Sequence, residues 1–190
     1  FRPINVMFRP IISFEGIAYY KKEKILSPCI WLALLFFSGV VQYRYTGFAF
    51  NYNTEENFNV LMTLFSTVVL AVLFVIINWL VSSLSEGKGR LKEIFVSTVY
   101  ALTPYILSVF IVTIASHFVV SEEYMLLQFL YYLGIIWSAI LLILAYNAIH
   151  DYSTVKSVFI IVISIFGVLV VLFFTVLILA VFQQVANILM

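Results

Sequence analysis

Asn78-Trp79-Leu80-Val81-Ser82-Ser83-Leu84-Ser85-Glu86-Gly87-Lys88-Gly89-Arg90-Leu91-Lys92-Glu93 is the stretch that decides how this chain folds. It forms a short polar turn between two long apolar runs. It holds three of the ten basic residues and two of the seven glycines. The runs on both sides are apolar enough to sit in lipid, so the turn is one of few places where the chain presents polar groups to water.

Working outward, 64% of the 190 residues are hydrophobic and 10% are charged. Soluble domains run at about 45–50% and about 25%. A chain with so little polar surface has lipid as its solvent, and a mean hydropathy of +1.13 agrees. The expected fold class is all-α: an integral membrane bundle of five transmembrane helices with an N-terminal amphipathic interfacial helix. Residues 1–24 read as a cytoplasmic or interfacial amphipathic arm and residues 25–190 as the five-helix transmembrane domain. A net charge of +1 implies no nucleic-acid partner. The single Cys29 excludes an internal disulfide and a cysteine zinc cluster. It reads as a small buried or lipid-facing hydrophobe. The sequence begins at Phe1 rather than Met, so a preceding segment is expected. The first apolar run is too long for a cleavable signal peptide and lacks a small-residue cleavage site.

In the arm, Phe1-Arg2-Pro3 and Phe8-Arg9-Pro10 break regularity, and Lys21, Lys22 and Lys24 close the segment. Ile11, Phe14, Ile17, Ala18 and Tyr20 recur at helical spacing just after Pro10, which suits a first helical turn. They describe either a helix lying on the membrane face or an arm packed on the bundle. The first span is Ile25 to about Tyr43, with Ser27-Pro28 placed to open it. Trp31, Tyr43 and Tyr45 fit interfacial belts. The polar loop 44–58 leads to a second span from about Asn59 to Leu84. Asn78, Ser82 and Ser85 make a polar stripe on its last third, which must face other helices or water. Gly87 and Gly89 then end the helix, as glycine commonly does. The third span is about Ile94 to Val120. Pro104 cannot donate to the carbonyl of Tyr100, which predicts a kink, with Thr103 placed to satisfy freed backbone groups. The turn Ser121-Glu122-Glu123 is so short that the fourth span, about Tyr124 to Ile149, must return antiparallel. After His150-Asp151-Tyr152, Ser153 or Thr154 can cap a fifth span from about Ser157 to Phe182. Gln183, Gln184 and Asn187 mark its exit.

Five spans put the two ends of the chain on opposite sides. Nine of the ten basic residues fall on one side: Arg2, Arg9, Lys21, Lys22 and Lys24 in the arm, Lys88, Arg90 and Lys92 in the second loop, and Lys156 in the fourth. Only Arg44 lies opposite, beside Glu55, Glu56, Glu122 and Glu123. The positive-inside bias therefore predicts a cytoplasmic N-terminus and an extracellular C-terminus.

Little in the chain suggests catalysis. Gly87-Lys88-Gly89 lacks the strand, the first glycine and the hydroxyl of a P-loop. Neither Glu55-Glu56 nor Glu122-Glu123 places two carboxylates on one helix face. No Gly-x-Ser-x-Gly and no His-x-Glu zinc motif occurs. No span centre carries a carboxylate, Lys or Arg, as ion-coupled carriers usually need. The chain reads as no enzyme, with no cofactor and no metal. His117 reads as a helix–helix hydrogen bond. His150-Asp151 reads as a turn that pairs or caps, or as a pH-sensitive partner contact. Gly39, Gly134, Ser138 and Gly167 let helices approach closely.

Several motifs occur together in order: Phe8-Arg9-Pro10-Ile11 with Phe14-Glu15-Gly16; Phe48-Ala49-Phe50-Asn51; Asn78-Trp79; Glu86-Gly87-Lys88-Gly89 leading to Lys92-Glu93-Ile94; Ala101-Leu102-Thr103-Pro104-Tyr105; and Ile149-His150-Asp151-Tyr152-Ser153 with Lys156. In these the chain resembles the bacterial branch of the Yip1-domain family of five-span membrane proteins, over nearly its whole length. The resemblance implies an N-in, C-out bundle in the cell membrane and no catalytic residues. Eukaryotic relatives are trafficking proteins that contact small GTPases through an Asp-Leu-x-Gly-Pro type motif with no counterpart here. Bacterial relatives are often encoded beside ABC transporters, in many cases sugar importers. The expected role is an accessory subunit packed against ABC permease helices, plausibly in carbohydrate import, with a separate ATPase. The alternative is a membrane-organising protein acting through bilayer shape and self-association. Expected partner contacts are the stripe of Asn78, Ser82 and Ser85 with Trp79 beside it, and the kink at Pro104. The two turns complete the set: Glu86, Gly87, Lys88, Gly89 and Lys92 in one, His150, Asp151 and Tyr152 in the other.

Overall fold

The computed structural model describes residues 2–20, 25–51 and 58–189. Every regular element among them is helical. Five helices are long and apolar enough to cross a membrane: Leu26–Tyr45, Val60–Leu84, Leu91–Ala115, Ser121–His150 and Thr154–Asn187. Lys21, Lys22 and Lys24, and Asn53, Glu55, Glu56 and Asn57 of the first loop, lie outside the described residues.

The arm is two short helices, α1 (Arg2–Phe8) and α2 (Pro10–Tyr20). Pro10 opens α2, where its missing N–H costs nothing. Val6, Phe14 and Ile17 are buried in the main core, against the third and fourth spans, so the arm packs on the bundle. Ile11, Ile12, Tyr19 and Tyr20 point away from it and are exposed.

The first span is α3 (Leu26–Tyr45). Ser27 does not cap it, because the helix begins one residue earlier. The Ser27 hydroxyl instead accepts from the Tyr100 hydroxyl at 2.8 Å. Cys29 is exposed on its lipid face. The second span combines α4 (Val60–Leu64), a π-helical turn (Phe65–Val69) and α5 (Leu70–Leu84). Asn59 caps α4, its side-chain oxygen accepting from the amides of Leu61 and Met62 at 2.9 and 3.2 Å.

The third span is α6 (Leu91–Ala101) and α7 (Thr103–Ala115), broken at Leu102. Pro104 has no N–H for the Tyr100 carbonyl, and Thr103 Oγ1 donates to that carbonyl at 2.7 Å. The same hydroxyl accepts from Trp31 Nε1 at 2.5 Å. The Tyr105 N–H beside the break donates to Ser138 Oγ of the fourth span at 3.0 Å. The kink expected at Pro104 is thus held by two neighbouring helices. The helix starts earlier than Ile94 because the carboxylate of Glu93 accepts from the Arg90 N–H at 3.0 Å, capping the first turn. It also ends earlier than Val120, at Ala115. Beyond that end, His117 Nε2 donates to the Tyr45 carbonyl at 2.8 Å, the helix–helix bond expected of it.

The fourth span, α8 (Tyr124–His150), and the fifth, α9 (Thr154–Leu189), complete the bundle. α9 runs on through Gln183, Gln184 and Asn187. No Gly or Pro interrupts that stretch, and amide side chains cost a helix only a few tenths of a kcal/mol, roughly. Leaving the apolar run does not end the helix.

Candidate partner-contact site

Two helix ends build this site. α5 stops after Leu84, and Glu86 takes the left-handed conformation with φ of 60°. The Gly87 N–H then donates back to the Ser82 carbonyl at 2.8 Å, closing the helix end. This corrects one expectation. No glycine among the described residues has a positive φ, so Gly87 and Gly89 are not the residues that turn the chain. They are needed for room. A Cβ on Gly87 would stand 2.5 Å from His150 Nδ1 and 2.6 Å from the Tyr152 hydroxyl. One on Gly89 would stand 2.5 Å from Ile149 Cγ2 and 2.8 Å from His150 Cε1. Side-chain carbon atoms do not approach this closely.

α8 ends in the same way, with Asp151 left-handed at φ of 58°. Asp tolerates this region better than most residues. The turn delivers His150 and Tyr152 against the Gly87–Gly89 strip. The two rings stack, centroids 5.0 Å apart, and Tyr146 meets His150 edge-on at 5.9 Å. His150 is buried, and its Nδ1 accepts from the Gly89 N–H at 3.3 Å. An imidazole that accepts at Nδ1 is neutral with its proton on Nε2. That Nε2 is buried without a partner among the described residues.

The Tyr152 hydroxyl shares its proton between the carbonyls of Ser82 and Ser85 at 3.2 and 3.1 Å. Lys156 Nζ donates to the Ser85 carbonyl at 2.9 Å and lies 4.2 Å from the Tyr152 ring centre. Burial raises the pKa of Tyr152, and the charge of Glu86 adds to it. At the surface, Lys88 Nζ meets Asp151 Oδ2 at 2.8 Å, both side chains well exposed. The hydrogen bond from Lys88, and then its charge, holds the Asp151 carboxyl below the usual carboxylate range.

Below this surface runs the polar stripe. Asn78 is fully buried and donates to Ser164 Oγ of α9 at 2.9 Å. Ser82 Oγ donates to Asn78 Oδ1 at 3.5 Å. The stripe faces another helix, as a polar face in lipid must.

The structure therefore brings together Asn78, Ser82, Ser85, Glu86, Gly87, Lys88, Gly89, His150, Asp151 and Tyr152. Trp79 packs partly buried against the core, and Lys92 is exposed on the first turn of α6. Pro104 does not join them. It lies in the α7–α8 contact, where its carbonyl would be 3.1 Å from a Cβ on Gly134. Sequence reasoning missed Lys156 and Ser164 as members of the site. Ser157 and Ser164 are seven residues apart on one helix face, and both are buried. That spacing was the available signal. Among the described residues, no three His, Cys, Asp or Glu converge to hold a metal ion. The arrangement is a hydrogen-bonded platform that exposes Glu86, Lys88, Arg90, Lys92 and Asp151 at one end of the bundle.

A family model described as the Yip1 domain matches residues 4–178. The chain belongs to the Yip1-domain family. No curated protein and no solved structure matches it. Within this Yip1-domain protein the matched stretch takes in α2, both turns of the platform and most of α9. Family membership and the five apolar helices make it a membrane protein.

Proposed function

We propose that this Yip1-domain protein is a non-catalytic accessory subunit of an ABC transporter, packed against the permease helices, with a separate chain supplying ATP hydrolysis. A carbohydrate importer is the transporter class. The protein resides in the cell membrane, with the platform and N-terminus in the cytoplasm and the C-terminus outside. The observation that carries the reading is α9. From Leu169 to Val185 every side chain except Leu172 is exposed, so nearly half of this helix touches little else among the described residues. Partner helices covering that rod, and the charged platform below it, make a two-part contact.

Purification from native membranes in lipid nanodiscs tests this. The permease and ATPase chains should accompany the protein, and crosslinkers at Phe166, Phe173 and Leu177 should reach the permease. Repeated recovery of the chain alone would refute it. A second reading, a membrane-organising protein, draws on the exposed Ile11, Ile12, Tyr19 and Tyr20 of the arm. It requires the isolated protein to deform liposomes and to lose that activity when residues 1–20 are removed.

A further inference from the structure

At the end of the bundle away from the platform, α3, the second span, α7 and α8 line an open cavity of about 580 Å³. That volume lies within the ordinary range for small-molecule sites, about 300–1,000 Å³. Its wall mixes polar and apolar groups, and the polar side chains among the described residues are uncharged. Tyrosines come from α3, α7 and α8, Gln42 from α3 and Gln128 from α8, and aliphatic hydroxyls from Thr46 just past α3, from the second span and from α7. No carboxylate, lysine or arginine lines it among the described residues.

The hydroxyls have a direction. Those of Thr46, Thr63, Ser66 and Thr67 donate to carbonyls of their own helical turns. Their remaining lone pairs accept from whatever fills the space. Thr113 Oγ1 is buried with no partner among the described residues, and Thr113 is 3% exposed. The Gln42 side chain makes no hydrogen bond among the described residues. A buried unpaired hydroxyl in lipid is costly, so a ligand that satisfies it gains by doing so. The π-helical turn supplies Ser66 and Thr67 to the wall; such turns are frequent at functional sites. Gly39 lets α3 come close to it, since a Cβ there would be 2.8 Å from Thr67 Cγ2.

Ser66, Thr67 and Tyr105 also border a second cavity of about 430 Å³. Its remaining wall is largely apolar, with Leu35, Leu70, Phe74, Leu102, Ile135 and Leu142. A chamber with uncharged polar groups thus adjoins a largely apolar one along a shared edge.

We propose that these two chambers bind one amphiphile, a lipid with an uncharged, hydroxyl-rich headgroup of the glycolipid class. The headgroup occupies the larger cavity. It donates to the acceptor-lined wall and to Thr113, and it lies against the tyrosine rings. The hydrocarbon tail follows the apolar chamber. A phosphate-bearing headgroup meets no cation among the described residues there and would leave its charge unpaired. The site belongs to this chain alone, so its test does not depend on the transporter partner.

The test uses the full chain in phosphatidylcholine nanodiscs and a monoglucosyl diacylglycerol carrying a photoreactive group in its tail. Labelling should map to residues 66–74 and 135–142 and should be competed by unlabelled monoglucosyl diacylglycerol. Thr113→Val and Gln42→Leu should each weaken that competition by ~fivefold, the worth of about one hydrogen bond. If Thr113→Val fails to fold, Gln42→Leu carries the comparison, since its side chain holds no other element in place. Competition by phosphatidylglycerol as strong as by the glycolipid would show that the headgroup is not read, and would overturn the proposal. So would free glucose competing equally, which would mark a site for a soluble solute. Labelling unchanged in both variants would overturn it as well.

Discussion

The third and fifth spans are both apolar helices of membrane length, and they have opposite fates. Two thirds of the third span's most apolar window is buried, 67%, against 0% for the fifth. The more apolar of the two is the one left outside. In water the reverse would hold, because burial of apolar surface drives folding there. In lipid, neighbouring helices are no better a solvent for leucine than acyl chains are, so packing and polar contacts decide. The third span carries Ser97, Thr98, Thr103, Ser108 and Thr113, all buried. Its neighbours supply partners: Tyr146 lies 2.9 Å from Thr98, and Trp31 and Ser138 bridge the break at Leu102. From Leu169 to Phe182 the fifth span offers only Thr175, which donates to its own Val171 carbonyl at 2.8 Å.

This contrast can be broken most sharply at Gly134. A side chain there would run into Ser108 and close to the Pro104 carbonyl, both on the broken third span. Gly134→Val should cost about 1–3 kcal/mol or more, as overpacking does. Thermal unfolding in nanodiscs reads the loss, and a variant that melts like the parent would remove the third span from the centre of the fold. Next in size is Tyr146→Phe, which deletes the partner of Thr98 between α6 and α8. A loss of about 0.6–2 kcal/mol is expected for a buried helix–helix hydrogen bond in lipid. Phe173→Ala, on the fifth span, should change the stability of the isolated chain by no more than about 0.5 kcal/mol, like a change at an ordinary surface. A large loss at Phe173 would mean that α9 is packed after all.

The smallest effect is at the turn that leads into the fifth span. Lys88 holds the Asp151 carboxyl below its usual pKa, so the folded value is lower than the unfolded one. The stabilisation is therefore present at neutral pH and is lost as pH falls through the folded value. Both groups are exposed, and the loss should be small. Stability measured from neutral to acid pH should show this slope in the parent and lack it in Lys88→Gln. An unchanged slope would assign the acid sensitivity elsewhere.

Much of the platform was legible in the sequence. Asn78, Ser82 and Ser85 at helical spacing announced a face that could not meet lipid, and the two basic turns announced themselves by charge. Pro104 was read correctly as a break, and the fold places it in the α7–α8 contact away from the platform, because its backbone effect is local while its neighbours are set by the fold. The role of Gly87 and Gly89 was misread for a related reason. Glycine near a helix end usually signals a left-handed residue. Here Glu86 takes that conformation, and the glycines are required only because His150 and Tyr152 arrive from the other turn. Ser164 and Lys156 were missed because their partners lie 86 and 71 residues away in the chain.

Sequence alone determined the solvent, the five apolar runs and the weak point before Pro104, since each follows from transfer energies and backbone sterics over a few residues. Only the tertiary structure decided which run stands at the centre, which glycines must stay bare and where hydroxyls from distant segments converge on one cavity. Those outcomes depend on contacts between distant segments. A bilayer, nearly as apolar as the helices themselves, leaves close packing and hydrogen bonding to choose among them.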